Sequence, residues 1–224
     1  LENLLYLGVR ENMLNGPIPS TLGRLQNLVY IDLSMNKLSG SLPIELANCI
    51  ELQWLKLDGN SLTGGVLDQF SSLSQLDTLS LAHNNFDGSL PTSFVNVSNL
   101  VLLDLSHNEF NGPLPSSWSQ LENLRVLSVG YNNLEGVLPL WVWNLRHLQI
   151  LVLSNNQFIG EIPTDIGKLE GFKSDARETD TDQTLWHDDV TLNAKGTQLE
   201  YTYLLNVVVS LDMSGNKLSG TIPN

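Results

Sequence analysis

The sequence predicts an α/β solenoid assembled mostly from short strands and irregular or 3-10 return segments. Three observations predict it. Asn12, Asn36, Asn60, Asn84, Asn108, Asn132 and Asn156 follow one another at intervals of 24 residues. Each has Leu or a similar apolar residue eight, five and three positions before it. A Gly, usually with a nearby Pro, follows most of them at a constant offset, as in Leu14-Asn15-Gly16-Pro17-Ile18-Pro19. A repeat of this length cannot bury its apolar face alone. Stacked copies can share one continuous core.

The second copy shows each element in order. Leu28, Ile31 and Leu33 are spaced so that alternate strand residues turn inward. Asn36 then falls where the chain leaves the strand, and its amide can satisfy backbone groups that the turn would strand inside. Leu38, Gly40, Leu42 and Pro43 form a second extended segment in which Gly allows tight turning, and Leu46 and Cys49 close the coil. An eighth copy surrounds Asn216, with Val208, Leu211, Met213, Leu218, Gly220, Ile222 and Pro223.

Composition narrows the function. Over 224 residues, 11 Lys and Arg stand against 24 Asp and Glu, a formal charge of −13 that argues against nucleic acid or an anionic membrane as partner. Apolar residues at 42% describe an ordered chain rather than an acidic tail. With Cys49 as the single cysteine, no internal disulfide framework is possible. The longest strongly apolar tract, Leu204 to Leu211, is interrupted by Asn206 and Ser210 and falls far short of a membrane span.

Leu-x-Gly-x-Ile-Pro after Leu-x-x-Leu-x-Leu-x-x-Asn resembles the plant-type leucine-rich repeat, and the resemblance covers most of the chain. It implies a right-handed superhelix with a parallel sheet on its concave side, extracellular placement and use as a recognition surface. Val66-Leu67 replaces the usual apolar-Pro pair in the third repeat, and Val142 replaces Leu in the sixth. Between Asn156 and Asn216 the spacing is 60, one period plus 36 residues. An insertion this long inside a compact array is expected to be functional or disordered. Its Trp186, Val190, Leu192, Leu199, Tyr201 and Tyr203 are spaced to let part of it alternate faces or fold back. Its exit, Lys195-Gly196-Thr197-Gln198-Leu199-Glu200-Tyr201, resembles the end of the island domain in plant receptor-like proteins and peptide-hormone receptor kinases. The expected layout is therefore repeats over 1–169, an island over 170–205 and the start of a further repeat over 206–224. The family's paired-cysteine caps do not occur, so the chain is read as part of a longer ectodomain whose anchor lies elsewhere.

Positions that the repeat leaves free carry the candidate site, because strand residues between the buried ones face the concave side. Six before each Asn come Tyr6, Tyr30 and Trp54, expected as an aromatic strip, then Leu102, Val126 and Ile150, expected to extend it as an apolar strip toward the island. Lys56 lies four before its Asn, and His83, His107 and Tyr131 lie one before theirs. With Trp186 these are the candidate ligand contacts, and cross-strand packing is the competing explanation of the rows. Lys195, Gly196, Glu200 and Tyr201 are the island positions assigned by resemblance to co-receptor contact. His83 and His107, brought together by the period, are placed to become cationic in a mildly acidic medium, or else to be solvated histidines with no role. Asn96, in the lone sequon Asn96-Val97-Ser98, is the candidate glycosylation site. Trp141 and Trp143 are expected to pack locally on the convex side.

No catalytic, metal or cofactor site is expected. Asp104, Ser106 and His107 have the residue types of a hydrolase triad but occupy a strand motif that recurs as Asp32-Leu33-Ser34 and Asp212-Met213-Ser214. Asp180-Thr181-Asp182 lacks the Gly and terminal Glu of a calcium loop. Cys49 takes a position held elsewhere by Leu25, Leu73 and Leu121 and is expected to be buried and inert. The resemblance implies a non-enzymatic receptor ectodomain that binds a peptide or protein between concave face and island and presents a surface to a co-receptor kinase of the leucine-rich-repeat class. The alternatives are a secreted hydrolase inhibitor, an ice-binding protein, or a small-molecule hormone receptor with the island as lid.

Overall fold

Each 24-residue period folds into one turn of a solenoid, and three short pieces of structure recur in every turn. The computed structural model describes residues 2–66, 68–172, 190–194, 197–201 and 209–223. Strands Tyr6–Gly8, Tyr30–Asp32, Trp54–Lys56, Thr78–Ser80, Leu102–Asp104, Val126–Ser128, Ile150–Val152 and Ser210–Asp212 form the concave sheet. All are parallel and paired at the same register, so Tyr6 lies beside Tyr30, Tyr30 beside Trp54, and Val126 beside Ile150. A second parallel sheet of eight strands runs from Asn15–Gly16 to Lys217–Ser219 through the Gly-containing segments. Five-residue 3-10 turns such as Ser20–Arg24 and Ile44–Asn48 return the chain to the next strand.

The extended second segment follows from two residue types. Gly40, Gly64, Gly88 and Gly112 all have φ between +76° and +80°, a region where a Cβ is penalised. Pro43, Pro91 and Pro115 sit directly before the 3-10 turns at φ of −69°, −68° and −63°, the value their rings impose.

Inside the coils the repeat Leu residues form one core. Leu55, Leu79, Leu103, Leu127 and Leu151 have no exposed surface, and Phe86 and Phe110 stack at 6.2 Å on the second sheet's inner side. Cys49 is fully buried there, its thiol raised above the ordinary range by burial and placed 3.6 Å from the Leu22 carbonyl, as expected of an inert core residue. Trp143 is likewise buried, and Trp141 packs against the same cluster. Neither indole N–H has a hydrogen-bond partner among the described residues, whereas Trp118 donates to the Pro91 carbonyl at 2.9 Å.

The asparagines tie the coils together. Asn108 Nδ2 donates to the carbonyls of Leu105 and Ser106 in its own coil, at 3.1 Å each, and to that of Leu81 in the preceding coil at 3.0 Å. Its Oδ1 accepts from the Phe86 amide, again in the preceding coil, at 2.9 Å. Asn60, Asn84, Asn132 and Asn156 repeat this arrangement. After the insertion the ladder resumes unbroken: Asn216 donates to Leu153 at 2.9 Å and accepts from Phe158 at 3.1 Å, and Ile150 pairs with Ser210. Thirty-six additional residues thus leave and re-enter the array without shifting its register.

Within the insertion, Val190–Ala194 and Thr197–Tyr201 form an antiparallel hairpin that pairs Val190 with Tyr201, Leu192 with Leu199 and Thr191 with Glu200. Trp186, Lys195 and Gly196 lie outside the described residues.

Asn108→Leu removes four hydrogen bonds at a site closed to water and should destabilise the chain by about 3–5 kcal/mol. Asn12 is exposed and, among the described residues, bonds to the Val9 and Arg10 carbonyls alone, so Asn12→Leu should cost under about 1 kcal/mol. Equal shifts of the denaturant midpoint in the two variants would contradict the role given to the ladder.

Candidate functional site

Two aromatic rows run across the coils, one on the concave sheet and one in the turns that leave it. The first runs six positions before the ladder asparagines. The Tyr6 and Tyr30 rings stack at 4.3 Å with planes 5° apart, and Trp54 follows at 6.2 Å, tilted by 45°. Parallel register produces this, since it sets equivalent side chains one strand spacing apart. Lys56 places its ammonium 6.0 Å from the Tyr30 ring centre, and the Tyr30 hydroxyl donates to Asp32 at 3.2 Å.

The second row is built differently. His83 and His107 stack at 4.0 Å, and His107 and Tyr131 at 4.1 Å, with planes within 14°. All three have φ between 53° and 55°, as do Glu11, Met35 and Asn155 at the equivalent positions. Left-handed backbone is unfavourable for such residues. It recurs because the chain must turn sharply between strand and ladder asparagine, and the appearance of Gly59 and Gly215 at the same position was the sequence signal for it.

The apolar continuation of the first row is not an exposed strip. Leu102, Val126 and Ile150 retain 2%, 0% and 1% of their surface. Each stands mid-row with a strand about 4.8 Å away on either side, Thr78 beside Leu102 and Ser210 beside Ile150. Val126 and Ile150 therefore line the inner face without offering contact area.

Between the rows lies a polar cluster that the aromatic columns of the sequence do not reveal. Ser80 donates its hydroxyl to Asp58, whose carboxyl is nonetheless raised to about 6 by burial, with the charges of Asp104 and Asp32 adding to the rise and Lys56 opposing it. Burial also raises Asp104, although Ser106 and Ser128 hydrogen-bond to it. Asp104 accepts from the Ser106 amide at 3.0 Å, as Asp32 does from Ser34 and Asp212 from Ser214. This is one strand motif made three times, and His107 stacks between His83 and Tyr131 instead of completing a triad. Among the described residues, no three His, Cys, Asp or Glu side chains are grouped to hold a metal ion.

Burial works against a cationic histidine pair in mildly acidic medium. Burial lowers His83, offset in part by the Asp58 charge, and lowers His107 to about 4, with His83 adding to the effect. Stacked rings that exclude water from one another favour the neutral form.

The arrangement belongs to a known family. Models of the leucine-rich repeat match residues 27–49, 50–110, 114–158 and 208–224, and the chain belongs to the leucine-rich-repeat family. No curated protein matches it closely. Among solved structures, the ectodomain of the Arabidopsis thaliana receptor kinase GASSHO1/SCHENGEN3, in complex with CASPARIAN STRIP INTEGRITY FACTOR 2, is 40% identical with a TM-score of 0.75, over 76% of this chain and 20% of that one. The Arabidopsis receptor kinase HAESA, in complex with the peptide hormone IDA and the co-receptor SERK1, is 31% identical with a TM-score of 0.66, over 75% and 32%. A plant ice-binding protein shares the fold at 22% identity and a TM-score of 0.66, over 99% of this chain and 67% of that one. The chain thus spans about a fifth to a third of the receptor ectodomains it resembles. No helix among the described residues is long and apolar enough to cross a membrane.

Asp58 and His107 act on stability with opposite signs. A carboxyl raised in the folded state binds protons there first, so its contribution is fully present below about pH 4 and is lost as pH rises through about 6. An imidazole lowered to about 4 contributes stability that is lost as pH falls from about 6.5 toward 4. Asp58→Asn should raise stability at pH 7 by about 1–3 kcal/mol, with no gain at pH 4. His107→Gln should lessen the loss on acidification. Thermal melts of both variants from pH 4 to 7 check this, and parallel pH profiles for all three proteins would refute it.

Proposed function

We propose that this chain is the ligand-recognition segment of a plant receptor ectodomain, binding a peptide or protein ligand on its concave face and acting with a co-receptor kinase of the leucine-rich-repeat class. The observation that carries the reading is the pair of aromatic rows, Tyr6–Tyr30–Trp54 and His83–His107–Tyr131, with Lys56 beside the first. Rigid aromatic side chains supply contact area at small entropic cost, and binding hot spots are enriched in them. Support also comes from the similar ectodomains solved with CASPARIAN STRIP INTEGRITY FACTOR 2 and with IDA and SERK1. The reading is non-catalytic and needs no cofactor. It places the chain outside the cell at the plasma membrane, held there by other parts of the protein. The island, with Trp186, Lys195, Gly196, Glu200 and Tyr201, is proposed as the ligand's second wall and a co-receptor contact.

The test is calorimetry of the intact ectodomain against a panel of synthetic secreted plant peptides. A peptide that binds should lose about 10- to 100-fold in affinity with Trp54→Ala or Tyr30→Ala, without a matching loss of thermal stability. No binding across the panel, or unchanged affinity in both variants, would overturn the reading.

Asn96 is proposed to carry a glycan. It closes the 3-10 turn Thr92–Asn96, exposed and on the return side of the coil, where a bulky glycan meets neither sheet. Peptide mass spectrometry of plant-secreted protein should find it modified; unmodified Asn96 alone would refute the assignment.

A further inference from the structure

A groove of about 400 Å³ lies at the entry ends of the concave strands, and neither aromatic row contributes to its lining. Two columns of the repeat build it. Seven positions before the ladder asparagines, directly ahead of their strands, stand Gln53, Asp77, Val101 and Arg125. Nine positions before stand Gln75, Asn99, Asn123 and His147. The fold does not ask for polarity in the first of these columns, since Leu5, Val29 and Val209 hold the same place in other coils.

Backbone groups along this edge are already spent. The Gln53 carbonyl accepts from the Asp77 and Thr78 amides, and the Asp77 carbonyl accepts from those of Val101 and Leu102. Asn99 and Asn123 each give one N–H to the preceding coil, at the carbonyls of Ser74 and Ser98, 3.0 and 2.9 Å away. That bond fixes the amide and leaves its Oδ1 without a partner among the described residues. The side chains of Gln53, Gln75 and His147 make no hydrogen bond among the described residues. The groove thus gathers four carboxamides, each both donor and acceptor, with capacity to spare.

A ligand that answers this lining must itself donate and accept at closely spaced points, as hydroxyl groups do. Asp77 and Arg125 precede strands on either side of the strand that follows Val101, about 10 Å apart. A carboxyl and a guanidinium flanking a small apolar floor suit a pyranose, whose C–H face can rest on Val101 while its edge hydroxyls reach both sides. Spacing agrees with this. The lining spans five coils, or about 19 Å at about 4.8 Å per strand, and a β-1,4-linked hexose advances by nearly one such step per ring. An extended peptide advances about 3.3 Å per residue and falls out of step with the coils. With one carboxyl opposed by one guanidinium, in a chain of charge −13, the lining does not favour a polyanion.

We propose that this groove is a binding site for a neutral, linear β-linked oligosaccharide, held by the carboxamides of Gln53, Gln75, Asn99 and Asn123 and, over Val101, by Asp77 and Arg125. The site is separate from the aromatic rows and does not rest on the receptor reading.

The experiment is calorimetry of the intact ectodomain with cellotetraose, xylotetraose and mannotetraose, their dimers, and tetragalacturonate. One neutral tetramer should bind with a Kd below about 1 mM, at least about tenfold more tightly than its dimer, because the dimer covers less of the groove. The triple variant Gln53→Val, Asp77→Val, Arg125→Val installs the residue that Val29 and Val101 supply at the same place. It should keep the parental melting temperature and lose at least about tenfold in affinity for that tetramer. Should it unfold, Gln53→Ala with Gln75→Ala removes no hydrogen bond of the fold and should weaken the same binding by about fivefold or more. No binding of any neutral tetramer, or unchanged affinity in the folded variant, overturns the site. Tighter binding of tetragalacturonate than of every neutral tetramer overturns the neutral class. A panel peptide whose affinity falls in the variant, with no glycan bound by the parent, overturns it in favour of a peptide groove.

Discussion

Everything in this molecule depends on a buried amide that bonds to two coils at once. Three-residue strands pair through backbone bonds such as Leu33 N–H to the Lys56 carbonyl and Met35 N–H to the Asp58 carbonyl, and the turn out of each strand leaves further carbonyls, such as those of Leu105 and Ser106, for a side chain to satisfy. The ladder asparagine meets that need: Nδ2 takes carbonyls from its own coil and the one before, while Oδ1 takes an amide from the one before. Each such residue sets the offset of its coil on the preceding one. A constant offset is what aligns equivalent side chains into rows, so the ring stacks of the concave face follow from the ladder.

That alignment divides the protein's surfaces. On the concave side, side chains in the middle of the sheet crowd one another until carboxylates such as Asp58 and Asp104 hold protons more tightly than they would in water, and His107 holds its proton less tightly. Tyr30 and Trp54 stay partly open. The second sheet lies on a different side of the coil, where apolar positions are not demanded by the fold. Val137 and Ile159 stand out there as a paired apolar couple, exposed where Ser41 and Ser39 hold the same places in the second coil.

The insertion shows how local the architecture is. Since each coil contacts chiefly its neighbours, the array closes across the insertion with Ile150 paired to Ser210 and Asn216 bonded to Leu153 as any ladder residue would be. Added chain can be accommodated where it leaves and returns at one edge. The recurrent Gly and Pro serve the same end by holding each return segment to one path.

Periodicity was legible from the amino acids alone: the strand positions, the ladder, the inward Leu residues, the inert Cys49 and the neighbouring imidazoles all follow from a spacing of 24. A repeat assigns each residue a column, and the column sets its face. Tertiary structure decided how much water each column sees. Tyr30 and Ile150 hold the same place in the repeat, yet one is partly open and the other enclosed. Asp58 and Ser80 are twenty-two residues apart in sequence and hydrogen-bonded in the fold. The left-handed backbone under His83, His107 and Tyr131 was visible only through the two glycines that share its place. Exposure, charge state and ring geometry depend on what the neighbouring coils bring to the same point in space, and a column of residue types does not contain that.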